Sequence, residues 1–136
     1  MQEKIAPPPA RDVALLRRYG EELSFDVLSQ DGYPDVNRVI FYDGDLALHV
    51  AAFRGAIEDV ALLLDAGAQP NTSNADGWTV LHAAIAGKSP DCVAALLACG
   101  ADPNFQGDWP LSPLKSALAT EDGPIAKLLR DAGAVE

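Results

Sequence analysis

Apolar residues in this chain come in short runs at helical spacing, broken at regular intervals by glycine and by polar turns. Leu81, Ala84 and Ile85 fall on one face of a helix, with Thr79 placed to cap its start. After the turn Lys88-Ser89-Pro90-Asp91 comes a second stripe, Val93, Leu96 and Leu97. Gly100 ends it, since glycine takes the left-handed conformation of a helix terminus at least cost. From Asp102 to Trp109 the chain carries turn residues and no helical stripe. The pattern predicts two helices joined by a tight turn, then an extended loop or hairpin.

This pattern repeats without gaps at a period of 33 residues: Gly67-Ala68, Gly100-Ala101 and Gly133-Ala134 coincide. So do Leu48, Leu81 and Leu114; Ala51, Ala84 and Ala117; and Leu63, Leu96 and Leu129. Pro70 and Asn71 match Pro103 and Asn104, and His49 matches His82. Such a period marks a solenoid, whose units cannot bury their apolar faces alone and must stack. Small residues at Ala51, Ala83, Ala84 and Ala117 would let the helices approach closely.

The stretches DGDLALHVAAFRG…LLLDAGAQPN and DGWTVLHAAIAG…LLACGADPN resemble ankyrin repeats in both period and T-x-L-H-x-A pattern. The resemblance implies an all-α ankyrin-repeat solenoid of stacked helix–turn–helix units with projecting β-hairpin loops. Three units are expected, at 41–73, 74–106 and 107–136. The third departs from the pattern: Lys115 replaces the histidine, Pro110 the turn glycine, and Ser112-Pro113 stands in the Thr-Pro place. Ser112-Pro113 remains a good helix start. Lys127, Arg130 and Asp131 would supply the polar outer face of a C-terminal cap. Upstream the register breaks, because Asp12-Val-Ala-Leu-Leu16 recurs as Asp59-Val-Ala-Leu-Leu63 at a spacing of 47. Residues 10–40 therefore read as a divergent N-terminal capping helix pair or, alternatively, as a separate packed arm. Residues 1–9, with Pro7-Pro8-Pro9, read as a mobile segment, leaving 10–136 as one domain.

Twenty acidic against ten basic residues give a net charge of −10. That balance argues against nucleic acid and against an anionic membrane surface. It suits either solubility alone or a partner with a basic surface. Hydrophobic residues at 49% and charged residues at 22% fit a folded domain. No run reaches transmembrane length and the N-terminus lacks a signal-peptide core, so a cytoplasmic protein, monomeric when free, is expected. Cys92 and Cys99 lie about 10 Å apart along one helix, too far for a bridge, and read as small buried apolar residues.

Catalysis finds little support. His49 and His82 occupy one repeat position, whereas an active site needs unlike groups converging on one point. In ankyrin repeats, which these units resemble, the Thr and His of the motif hold the turn and adjoining loops by hydrogen bonds. Leu46 replaces the threonine before His49, so Asp45 is expected to cap there. There is no phosphate-binding G-x-x-x-x-G-K-[ST], no G-x-S-x-G elbow and no zinc-ligand spacing. Thr72, Asn74 and Asp76 before Gly77 are too few for a calcium loop, whose closing glutamate position is Ala83. Asp43 and Asp45 read as solvated hairpin residues rather than paired catalytic carboxylates. A non-enzymatic chain without cofactor or metal is expected.

What the resemblance implies instead is protein binding at the hairpin tips and on the inner, first helix of each pair. Here those places are Tyr42, Asp43 and Asp45; Asp76 and Trp78; Asp108, Trp109 and Leu111. The inner helices add Phe53, Arg54, Lys88 and Glu121. Tryptophans beside aspartates suit a basic partner, although Trp78 and Trp109 also fit packing between adjacent loops. One specific version is an inhibitor, such as an immunity protein masking a basic toxin; the competing reading is a structural, self-associating scaffold.

Overall fold

Side-chain oxygens set the starts of four of the six described helices. The computed structural model describes residues 46–136. The expected mobile segment 1–9, the capping pair 10–40, and Tyr42, Asp43 and Asp45 lie outside the described residues. Six helices follow: α1 (Ala47–Arg54), α2 (Ile57–Asp65), α3 (Val80–Ala86), α4 (Pro90–Ala98), α5 (Pro113–Ala119) and α6 (Gly123–Asp131). Thr79, Ser89, Ser112 and Asp122 each accept the N–H of the residue three further on, which caps α3 to α6. Pro90 and Pro113 fill first helical positions, where a missing N–H costs nothing. The start of α1 differs from expectation. Leu46, not Asp45, is its N-cap residue, and no side-chain oxygen caps it. Instead the Leu46 N–H donates to Nδ1 of His49 at 3.2 Å, so the helix's own imidazole satisfies the orphan donor.

All six helices end alike, in the paired backbone bonds of a Schellman turn. After α4, for example, the Gly100 N–H donates to Leu97 O and the Ala101 N–H to Leu96 O. The turn needs one left-handed residue. Glycine supplies it after α1, α2, α4 and α6, but Lys88 (φ 54°) and Glu121 (φ 56°) supply it after α3 and α5.

The helices form two rows. α1, α3 and α5 pack side by side, α2, α4 and α6 form the second row, and each inner helix packs on its own outer partner. Ala47, Ala51, Ala52, Ala83, Ala84 and Ala117 in the inner row are all buried, so small side chains line the contacts among those helices. Leu48, Leu63, Ile85, Leu96, Ile125 and Leu129 are sealed between the rows. Each such side chain contributes about 1.5–3 kcal/mol of burial. On α6 the opposite face, with Lys127, Arg130 and Asp131, is exposed. Asparagines join successive units. Asn71 donates to Gly100 O and accepts the Asp102 N–H, and Asn104 does the same with Gly133 O and the Val135 N–H.

Between outer and inner helices run the projecting loops. In the first, Ser73 and Thr79 form an antiparallel bridge, and the Gly77 N–H closes the turn on Asn74 O at 3.0 Å. In the second, Pro110 stands where Gly77 does and has no N–H to close that turn. Phe105 and Trp109 make local turns instead, and no bridge forms there.

Candidate protein-interaction surface

The first loop is held by one side chain: Asn74 Oδ1 accepts the N–H groups of Asp76 (3.0 Å) and Trp78 (2.9 Å). This local Asx arrangement is what the Asn-Ala-Asp-Gly run dictates. The second loop lies directly against it. A Cβ on Gly77 would sit 2.6 Å from the Cβ of Asp108, and one on Gly107 would sit 2.6 Å from the carbonyl oxygen of Gly77. Backbone therefore meets backbone, and Asp76 and Asp108, both exposed, stand on abutting loops. No group among the described residues pairs with either carboxylate.

Beside them three aromatic rings form a ladder across the units. Phe53 at the end of α1 lies 6.0 Å from Trp78 (interplanar 59°), and Trp78 lies 6.3 Å from Trp109 (54°). His82 touches the far end, 6.3 Å from Trp109. Phe53 is 52% exposed. Both tryptophans are half-buried: they pack against neighbouring loops and still contribute to the surface.

Of the expected contact residues, Phe53, Asp76, Trp78, Asp108 and Trp109 come together on this surface. Arg54 closes α1 beside Phe53, and the Leu111 side chain is exposed. Lys88 and Glu121 are not on the inner helices as expected. α3 and α5 stop two residues earlier, and both residues occupy the left-handed turn position that follows. Cys99 is also corrected: Cys92 is buried, but Cys99 sits exposed at the end of α4, and both are free thiols.

The histidines resolve into one tautomer. Nε2 of His82 faces the carbonyl of Leu111 at 2.7 Å, so it must carry the proton. Nδ1 then accepts from the Thr79 hydroxyl at 2.6 Å, while Thr79 Oγ1 accepts the His82 N–H at 3.1 Å. His49 repeats the logic one unit earlier, with Nε2 on Trp78 O at 3.1 Å. Burial pushes the His82 pKa below its usual value, against the opposing effect of the Leu111 bond. Each imidazole thus clamps its unit to the following loop, just beneath the tryptophans. Lys115 replaces it in the last unit. Sequence reasoning missed the asparagine clamps at Asn71 and Asn104, for which the only signal was their shared register.

Among the described residues there is no group of three or more potential metal ligands, and no helix long and apolar enough to cross a membrane. Paired helices stacked through residues repeated in register define a solenoid. The family model for ankyrin repeats, in three copies, matches residues 15–107 and 48–135, and the chain belongs to the ankyrin-repeat family. Ankyrin repeats are protein–protein interaction modules, and the family is typically non-enzymatic. No curated protein matches the chain.

Proposed function

We propose that this chain is a non-enzymatic, cytoplasmic binding module that occupies a partner protein with a basic surface and thereby inhibits it, as an immunity protein masks a toxin. The observation that carries this reading is the ladder Phe53–Trp78–Trp109 beside Asp76 and Asp108, which pair with no group among the described residues. Large aromatic area with few rotamers anchors an interface, and the net charge of −10 favours a basic counterpart. Tyr42, Asp43 and Asp45 would extend the surface along the repeat register, and Arg54, Lys88, Leu111 and Glu121 would lie at its rim. The family match beginning at residue 15 supports taking 10–136 as one domain with 10–40 as its N-terminal cap.

The full chain, used as bait in native lysate, is expected to retain one stoichiometric basic protein. Combining Trp78→Ala with Asp76→Ala should lose it. Retention of that partner by the double variant would overturn the assignment of the surface.

One observation favours a second reading, self-association through the last unit. Leu118 is 39% exposed, whereas Ile85 at the equivalent position is 1% exposed beneath the following unit. Sedimentation of the wild type against Leu118→Lys separates the two readings: a mass that falls on substitution supports the second.

A further inference from the structure

The aromatic ladder also indicates which group of the partner it receives. We infer that the face formed by Phe53, Trp78 and Trp109 is a seat for arginine side chains of an extended basic segment. This deepens the binding function proposed above and rests on it.

Three features select arginine. First, the rings meet at interplanar angles of 59° and 54°, not as parallel stacks. Tilted contacts set an edge against a face, so the rings do not cover one another as a parallel stack would. None of the three residues is fully buried, and Phe53 is the most exposed. Second, indole faces attract cations within about 6 Å of the ring centroid, and a planar guanidinium can stack there as an ammonium cannot. Third, Asp76 and Asp108 rise from abutting loops next to the two indoles, with no cation of the described residues paired to them. A guanidinium stacked on either indole would have a carboxylate within reach of its N–H fork, the bidentate geometry that arginine satisfies best. Because the ladder runs across three successive units, an extended segment would follow it more readily than a single folded knob.

Both tryptophans of the chain belong to the ladder, so indole emission reports on this face alone. Hexa-arginine, hexalysine and hexaglycine titrated into the full chain form the test. Saturable change in emission with hexa-arginine is expected at a Kd several-fold tighter than with hexalysine, and none with hexaglycine. Trp78→Phe should weaken hexa-arginine roughly tenfold, with Trp109 still reporting. Asp76→Asn with Asp108→Asn should weaken it at least as much, and, both residues being exposed, should leave the circular dichroism unchanged. Equal affinity for hexa-arginine and hexalysine, or indifference to both sets of substitutions, would overturn the inference. If hexa-arginine fails while the lysate partner still depends on Trp78, the seat is wrong and the binding surface stands. If hexa-arginine binds but no partner depends on Trp78, the proposed function fails instead.

Discussion

Removing the Thr79 hydroxyl tests the clamp that holds the second unit to the third. Thr79→Val keeps the shape of the side chain but deletes two hydrogen bonds at once. The His82 N–H loses its cap acceptor, a loss of about 1 kcal/mol. Nδ1 of His82, in a residue only 2% exposed, loses its donor, and an orphaned buried acceptor costs roughly 2 kcal/mol. The added methyl offsets about 0.8 kcal/mol by its burial. A net loss of about 2 kcal/mol is expected, read by urea denaturation at neutral pH, with a melting temperature lower by about 8 °C. The acid limb carries a second signature. Because burial holds the His82 pKa below 6.5, the unfolded chain takes up the proton first as pH falls. Stability is therefore full above about pH 6.5 and declines below it, by at most about 1.4 kcal/mol per pH unit from this residue. His82→Gln should abolish this contribution. A loss under about 0.5 kcal/mol for Thr79→Val would refute the clamp.

Three further outcomes follow from the same geometry. Gly77→Ala places a Cβ within 2.9 Å of the Asp108 backbone at a φ of +82°, whereas Gly123 has nothing within 4 Å. The first should cost about 2 kcal/mol or more by thermal melting, and Gly123→Ala should be neutral or slightly stabilising. Lys88→Gly relieves a left-handed side-chain conformation and should raise stability by about 0.5–1 kcal/mol with an unchanged denaturant slope; no gain would contradict the φ of 54°. A thiol reagent under native conditions should label Cys99 rapidly and Cys92 only on unfolding, and equal rates would contradict their different burial.

Read from residues alone, the solenoid and the role of His82 were legible because their causes are local or periodic. Thr79 and Ser112 cap helices through an oxygen three residues from its donor, so a short window contains the whole interaction. Leu48, Leu81 and Leu114 are all buried because identical units meet identical neighbours. Where the local chemistry was ambiguous, the local reading failed. α1 takes Leu46 as its N-cap because an imidazole one turn inside the helix turns back to cap it. Lys88 and Glu121 look like good helix formers, yet the tight return to the outer helix takes them into a left-handed turn.

The sequence by itself determined the period, the capped helix starts at Thr79 and Ser112, and the set of residues that must stack. Only the tertiary structure decided that Phe53, Trp78 and Trp109 become one ladder, that Asp76 and Asp108 share one place, and that Cys99 faces outward. Phe53, Trp78 and Trp109 stand 25 and 31 residues apart, outside the period that relates equivalent positions. Their meeting depends on how closely the small inner residues let adjacent units approach and on how the abutting loops are aligned. Those are properties of the stack, which no single unit encodes.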